Sequence, residues 1–258
     1  MIERRRTLKM KKYFILIELV FCIMFLGACG NVTDTNLTAE NVLLTSNIDD
    51  ASNLNLEFEK DVYRDREIEI SYPQISNLNS ELSNSINQKI KQDALSVLDF
   101  YSGEIEDLSV EISYTQEIIN NSLISICFEG IVHVKNTAYP NNVFYTSNID
   151  GRMGERLTTK DIIKVNLNLI EIIKKNAKYV QNDKNTNEEL TSEISRKLEN
   201  YDSSNMLTDI EKSGTSESEI YVYLKQDSIG FSLPVLHALG DYANFEVEYN
   251  YLLQFLKF

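Results

Sequence analysis

Cysteine is scarce in this chain, and its scarcity excludes two common sources of stability. The 258 residues include Cys22, Cys29 and Cys127, and the first two fall within the N-terminal 29 residues. Beyond that segment Cys127 stands alone, so the rest of the chain cannot form an internal disulfide and has no Cys/His cluster with zinc-ligand spacing. Cys127 lies in the strand-like run 123–128, which predicts a buried, small hydrophobic residue.

Histidine is also rare, and the sequence lacks the usual catalytic patterns. We expect His133 on the solvent face of a strand and His237 in a capping or packing role near a closing turn. No GxSxG turn is present to expose a nucleophilic serine, and no glycine-rich loop is present to hold phosphate. Some acids lie close enough in sequence to suggest acid/base pairs, but such pairs arise by chance in a chain with this many acids. These acids are Glu57, Glu59, Asp61, Glu67 and Glu69.

Calcium chemistry is also not indicated. The stretch Asn148-Ile149-Asp150-Gly151 lacks the alternating ligands and the distal glutamate of an EF-hand loop, and it predicts a turn. We therefore expect no catalytic residues, no cofactor and no metal site.

The N-terminus has the layout of a signal peptide. Six basic residues precede an apolar run from Tyr13 to Phe25, and Leu26-Gly27-Ala28-Cys29 ends the segment. Even when it is extended to Ala28 this segment has about 16 residues, which is short for a span of a hydrocarbon core of about 30 Å. The final tetrad resembles the lipobox of bacterial lipoproteins, in which the cysteine thiol is acylated. We expect cleavage after residues 1–28, lipidation of Cys29 and attachment to the outer face of the cell membrane; a plain N-terminal membrane anchor is the alternative.

Acids outnumber bases in the rest of the chain. The net charge of the full sequence is −14, and removal of residues 1–28, with six basic residues and two acids, makes it −18. Such a surface repels phosphate backbones and anionic lipid headgroups, so nucleic acid is not an expected partner. It attracts cationic partners, although negative charge also keeps an exported protein soluble.

The sequence after the signal peptide divides into a linker and one domain. Residues 29–56 are rich in Asn, Thr, Asp and Ser and show no sustained period, which is typical of a flexible tether. Residues 57–258 combine strand-like and helix-like patterns, and they predict an α+β fold with helices packed on an antiparallel sheet.

The predicted elements of this domain begin with a strand over 57–72 that Pro73 ends. Apolar residues at every fourth position predict a helix over 77–101. Strands over 108–119 and 123–135 are expected to pair around Asn120-Asn121, with a third strand over 143–149. Thr158 and Asp161 approximate a capping box at the start of a helix whose apolar stripe runs over 162–173. We also expect a helix over 188–198, a polar loop over 201–218, and strands over 220–224, 229–233 and 245–249.

Tyrosine is abundant, with 14 residues, whereas tryptophan is absent. Partly exposed tyrosine supplies contact area at low entropic cost, which suits recognition of proteins and glycans. A position on the outer face of a sheet explains the presence of any single tyrosine equally well. The tyrosines of the strand-rich half are Tyr139, Tyr145, Tyr221, Tyr223, Tyr242, Tyr249 and Tyr251.

Several stretches, in this order of elements, resemble the extracytoplasmic domain of RsiV-type anti-sigma factors, the lysozyme-sensing proteins of Gram-positive bacteria. The same module forms the body of many lipoproteins. The stretches are 70–75 (ISYPQI), 145–151 (YTSNIDG), 156–163 (RLTTKDII), 221–224 (YVYL), 237–242 (HALGDY) and 245–249 (FEVEY). Residues 234–240 match only loosely the proline-tyrosine pair and glycine-rich turn that are usual in the family.

The resemblance implies an RsiV-like binding domain without enzymatic activity. In the family the module accompanies a cytoplasmic sigma-binding segment, and in some secreted polysaccharide deacetylases it precedes a catalytic domain. Both are expected to be missing here, which leaves the sensing module on a lipid anchor. The implied partner is a cationic, lysozyme-like muramidase. A module that binds peptidoglycan or another cell-wall glycan is the alternative, and a hydrolase that uses scattered carboxylates is a third. The bias toward Ile, Asn and Lys is compatible with a Gram-positive source. The binding residues themselves are not predicted.

Overall fold

The computed structural model describes residues 56–78, 80–119, 123–180 and 188–257. The predicted signal peptide, Cys29 and almost all of the predicted tether lie outside these residues. Leu56, the last residue of the predicted tether, is buried in the core of the domain. No helix within the described ranges is long and apolar enough to cross a membrane.

The first half of the domain is a six-stranded sheet with its strands in chain order. All neighbouring pairs are antiparallel except the second and third strands, which run parallel. The strands are β1 (Phe58–Asp65), β2 (Ile68–Ile75), β3 (Leu108–Ile119), β4 (Leu123–Val134), β5 (Asn141–Asp150) and β6 (Glu155–Arg156). The strands predicted over 108–119, 123–135 and 143–149 are thus confirmed with small shifts of their ends, whereas the Asn120-Asn121 turn lies outside the described residues.

The predicted first strand is wrong in two ways. Residues 58–75 form a hairpin of two strands, and Arg66 at its turn has a positive φ of 53°. Pro73 lies inside β2, opposite Lys60, and does not end the strand. A proline is tolerated there because β2 pairs with β3 only over Ile68–Ile70, so that Pro73 lies where the strand has a partner on one side only.

The predicted long helix is confirmed, but its last part changes type. Helix α1 (Glu81–Leu95) begins at the cap Ser80 and continues as a 3-10 helix over Ser96–Tyr101. Its stripe of Ile86, Ile90 and Ala94 is buried against the six-stranded sheet. Because α1 connects the parallel strands β2 and β3, it lies on one face of the sheet and leaves the other face free for the second half of the domain.

The second half contains a four-stranded sheet in the order β7-β10-β9-β8. Its elements are α2 (Thr159–Ile162), α3 (Leu167–Asn176), β7 (Lys178–Tyr179), α4 (Glu188–Asn200), α5 (Ser203–Lys212), β8 (Tyr221–Leu224), β9 (Ser228–Pro234) and β10 (Tyr242–Glu248). Side chains of the helices and of one face of this sheet form a second core, which includes Ile170, Ile210 and Phe231. The α+β class predicted from the sequence is therefore confirmed.

Two local predictions in this half need correction. The apolar stripe over 162–173 belongs to two helices, because Asn166 accepts a hydrogen bond from the backbone of Leu169 and starts α3 anew. Residues 201–218 are not a polar loop throughout, since they include α5. Met206 and Ile210 of that helix are buried, and two apolar residues four positions apart are a weak signal of a helix in a polar segment.

Candidate functional site

The two sheets are joined by side chains instead of a backbone ladder. On β5, Thr146 and Asn148 donate hydrogen bonds to the backbone carbonyl of Val222 on β8, at 3.0 and 2.8 Å. On β4, the hydroxyl of Ser125 accepts the backbone N–H of Leu224 at 2.9 Å. These bonds hold β8 against the face of the first sheet that α1 leaves free, and a cleft opens beside the junction.

This cleft, here called the aromatic cleft, has a volume of about 270 Å³. It lies between β5, the 3-10 helix after α1 and the strands β8, β9 and β10. Six of the side chains that line it are aromatic: Phe100, Tyr101, Phe144, Tyr145, Tyr221 and Tyr242. Two carboxylates, Glu219 and Asp241, also line it, and its described lining contains no lysine or arginine. The aromatic cleft therefore combines π faces with negative charge.

The aromatic side chains differ in how firmly they are held. Tyr145 is buried and donates from its hydroxyl to the carbonyl of Ala94 at 2.6 Å, and burial raises the pKa of Tyr145 far above its usual range. The rings of Phe144 and Tyr242 lie 5.2 Å apart between centroids. Phe100, by contrast, is 70% exposed. The interior rings are thus buried or packed against each other, and the outer edge of the cleft presents an uncovered ring to solvent.

Asp241 organises one rim of the aromatic cleft. Its carboxylate accepts the backbone N–H of Asn142 at 2.8 Å and contacts Nδ1 of His237 at 2.8 Å. The backbone of Asp241 has a positive φ of 70°, a conformation that non-glycine residues seldom adopt. His237, for which we predicted a capping or packing role, thus forms an ion pair when it is protonated, and the ring of Tyr139 lies 5.8 Å away from it.

A second, polar cleft of about 400 Å³ adjoins the first and shares Phe100, Tyr145 and Tyr221 with it. Asp93 lies in its wall and accepts hydrogen bonds from the hydroxyl of Ser147 at 2.5 Å and from Nε of Arg156 at 2.8 Å. Burial raises the pKa of Asp93, and the bonds from Ser147 and Arg156 oppose that rise. Asp93 and Arg156 are already paired with each other, so the charge that this cleft offers to a ligand is the exposed carboxylate of Asp99.

The structure does not gather the other residues considered from the sequence into one site. The acids of the first hairpin are exposed on β1, β2 and their turn, away from both clefts, and Asp61 accepts the hydroxyl of Tyr72 at 2.9 Å. His133 is half-buried, not fully solvent-facing, and its Nε2 lies 3.5 Å from the carbonyl of Thr137. Within the described residues no group of three or more His, Cys, Asp or Glu is placed to hold a metal ion.

Cys127 is half-buried instead of fully enclosed. Burial raises its pKa most, and the nearby charge of Glu129 adds to the rise, so the thiol stays protonated at neutral pH. The predicted turn at 148–151 is wrong in its position, because Asn148, Ile149 and Asp150 are the last residues of β5 and the turn follows over 151–154. Asp150 accepts the backbone N–H of Arg152 in that turn at 2.8 Å.

Three of the seven tyrosines considered from the sequence, Tyr145, Tyr221 and Tyr242, line the aromatic cleft. Tyr139 and Tyr251 are exposed elsewhere. Sequence reasoning missed Phe100 and Asp241. Phe100 could have been noticed only as an aromatic residue just after the last apolar position of the α1 stripe. Asp241 could have been noticed only from its position after Gly240.

The described residues thus define an α+β domain in which two sheets enclose a cleft. Two solved structures of DUF3298 family proteins are similar to this chain. One, from Pseudomonas aeruginosa, is 10% identical, with 78% of this chain and 94% of that chain covered and a TM-score of 0.46. The other, from Bacteroides fragilis, is 12% identical, with 80% and 95% covered and a TM-score of 0.47.

No protein-family model matches the chain, and no curated protein matches it.

Proposed function

We propose that this chain is an extracytoplasmic lipoprotein, anchored through lipid on Cys29, whose domain binds a cationic protein without catalysing a reaction. The observation that supports binding of a cation best is the aromatic cleft. It combines six aromatic side chains with Glu219 and Asp241, and its described lining carries no basic residue. A lysine or arginine side chain that enters such a cleft gains attraction to the ring faces and to the carboxylates together.

The charge of the whole chain supports the same class of partner. After removal of residues 1–28 the net charge is −18, and a strongly acidic protein steers basic proteins to fast encounter. The edge of the aromatic cleft also exposes 70% of Phe100, and a large uncovered ring at the mouth of a cleft is typical of interface anchors.

The RsiV-type resemblance of the sequence makes a lysozyme-like muramidase the leading candidate for the cationic partner. The bound domain would then act at the cell envelope as a decoy or inhibitor of the muramidase. The lipid on Cys29 would hold the domain on the membrane, where a muramidase that has crossed the cell wall arrives.

A cell-wall glycan is the second candidate. It is favoured by the partly exposed Tyr221, which lies between the aromatic cleft and the polar cleft, since sugar rings stack on tyrosine and donate hydrogen bonds to carboxylates such as Asp99 in the polar cleft. The two candidates differ in their dependence on salt. Attraction between exposed charges is largely screened at about 0.15 M ionic strength and above, whereas stacking of a neutral sugar is not.

Calorimetric titration of the purified full chain with hen lysozyme, at low and moderate ionic strength, tests the proposal. We expect binding that weakens steeply with salt. The variants Glu219→Gln and Glu199→Gln provide a matched pair, because Glu199 is exposed on α4 and lies outside both clefts. Glu219→Gln is expected to weaken binding, and Glu199→Gln is expected to change it little. No heat at either salt concentration would rule out lysozyme, and salt-independent binding of muropeptides would favour the glycan.

A further inference from the structure

Two buried polar atoms on neighbouring strands of the second sheet lack hydrogen-bond partners among the described residues, and one of them belongs to Ser232 in the lining of the aromatic cleft. They are Oγ of Ser232, which is 1% exposed, and Oδ1 of Asn244, which is 6% exposed. Burial of a polar atom without a hydrogen bond costs free energy, and native proteins usually avoid it. Two such atoms at one place therefore point to a group that is bound there.

The strand register places these two atoms on the cleft side of the second sheet. Ser232 on β9 lies directly opposite Asn244 on β10 and opposite Tyr221 on β8. Directly opposed residues of antiparallel strands point to the same face, and both Ser232 and Tyr221 line the aromatic cleft. A ring and a hydroxyl from residues of the lining, and the amide oxygen of Asn244 beside them, thus form a row across three strands.

The chemistry of this row defines what can satisfy it. Oδ1 of Asn244 only accepts hydrogen bonds, so the bound group must donate N–H or O–H. The carboxylates of Glu219 and Asp241 favour a positive charge, and the surrounding rings favour a flat group that stacks. The volume of about 270 Å³ is at the lower limit of small-molecule sites, roughly 300–1,000 Å³, which suits one side chain better than an extended ligand.

We propose that the aromatic cleft is an arginine subsite, which takes one guanidinium group whose N–H donors bond to Oγ of Ser232 and Oδ1 of Asn244. The guanidinium is planar, presents five donors and is weakly hydrated, so it can stack and donate at the same time. The ammonium of lysine is compact and strongly hydrated and fits this row less well. The inference rests on the proposed function, because it names the partner's group that the cleft recognises.

Acetyl-argininamide and its neutral isostere acetyl-citrullinamide test the subsite directly, by ligand-observed NMR titration of the full chain. We expect acetyl-argininamide to bind and acetyl-citrullinamide to bind at least about tenfold more weakly, since it lacks the charge that Glu219 and Asp241 meet. Acetyl-lysinamide is expected to bind more weakly than acetyl-argininamide. Equal binding of all three probes, or no binding of acetyl-argininamide, would overturn the proposal.

Two serines of the same strand provide the variant and its control. Ser232→Ala removes the unpartnered hydroxyl. It is expected to weaken the binding of acetyl-argininamide about tenfold without loss of protein stability. Ser228 is also buried on β9 but lies outside the aromatic cleft, with its hydroxyl 3.5 Å from Glu246, so Ser228→Ala should leave the affinity unchanged. An unchanged affinity in Ser232→Ala would show that this hydroxyl is not part of the subsite.

Titration of the same variants with hen lysozyme separates this inference from the proposed function. If lysozyme binds the full chain while acetyl-argininamide does not, the subsite is wrong and the proposed function stands. If acetyl-argininamide binds while lysozyme does not, the subsite stands and the muramidase is wrong. If neither binds, both are wrong.

Discussion

Asn148 of the first sheet donates its side-chain amide to the backbone carbonyl of Val222 in the second sheet at 2.8 Å. The amide oxygen of Asn148 accepts the hydroxyl of Ser125 at 2.7 Å, and that hydroxyl accepts the backbone N–H of Leu224. All of these groups are buried. One asparagine thus satisfies polar groups of both sheets at the junction beside the aromatic cleft.

Asn148→Ala is therefore expected to lower the free energy of unfolding by about 2 kcal/mol, because it removes one of the two side-chain hydrogen bonds to the buried carbonyl of Val222 and leaves the buried hydroxyl of Ser125 without its acceptor. Urea unfolding of the full chain measures the change. Asn141→Ala, at an exposed position of the same strand, is the matched control and should alter stability by less than about 0.5 kcal/mol. Equal stability of the two variants would mean that the junction does not depend on this side chain.

A second prediction concerns the packing of β4 against β3. A Cβ at Gly130 would lie 1.9 Å from the carbonyl oxygen of Glu111, a backbone atom that cannot move aside easily. Gly130→Ala should cost on the order of 3 kcal/mol of stability. Gly103→Ala, where a Cβ would meet nothing within 4 Å, should cost little. Thermal unfolding measures the stability of both variants, and Gly130→Ala is expected to melt at the lower temperature. Similar melting temperatures would contradict the register of β3 and β4.

Asp161 predicts a specific dependence of stability on pH. Hydrogen bonds from the side chain and backbone of Thr158, at 2.7 and 2.8 Å, lower its pKa. The stabilisation is fully present above the ordinary aspartate pKa of about 4, and it is lost as the pH falls through the lowered value. Because Asp161 is exposed, Asp161→Asn should cost only about 0.5 kcal/mol at pH 7.

Asp161→Asn and the unsubstituted chain should differ less in their free energy of unfolding as the pH falls from 7 to about 3, close to the ordinary aspartate pKa. Urea unfolding at the two pH values measures this difference. A difference for Asp161→Asn that is constant with pH would argue against the carboxylate as the source of the stabilisation.

Phe100 tests the aromatic cleft as a binding surface. Phe100→Ala should weaken binding of hen lysozyme about tenfold while stability stays within about 0.5 kcal/mol, because the ring is 70% exposed. Leu253 is 69% exposed and lies outside both clefts, so Leu253→Ala is the matched control. Calorimetry that finds the same dissociation constant for both variants would place the interface elsewhere.

Lipidation is tested at the two cysteines of the N-terminal segment. In a bacterial host that processes lipoproteins, an alkyne-labelled fatty acid should be incorporated into the chain and into Cys22→Ser, because Cys22 leaves with the signal peptide. Cys29→Ser should lose the label and be released from the membrane fraction. Label that persists in Cys29→Ser would support a plain membrane anchor instead.

The fold was predictable where local patterns are strong. Apolar residues at every fourth position up to Leu98 predicted α1, and two neighbouring apolar runs predicted the β3–β4 hairpin. Both predictions were possible because the spacing of apolar residues indicates which face of an element is buried. The prediction failed where tertiary contacts override local preference. Pro73 remains inside β2 because one side of that strand lacks a partner, and α5 forms within a polar segment because Met206 and Ile210 are buried beneath it.

By itself, the sequence determined the α+β class, most of the strand and helix boundaries, and the acidic charge that makes a cationic partner attractive. It also carries the N-terminal pattern on which lipidation of Cys29 is predicted. Only the tertiary structure decided where a partner can bind. Phe100, Tyr221 and Asp241 are far apart in the chain and meet only because β8 packs across β5. No local period encodes such a meeting, because it depends on how two separately formed sheets pack against each other.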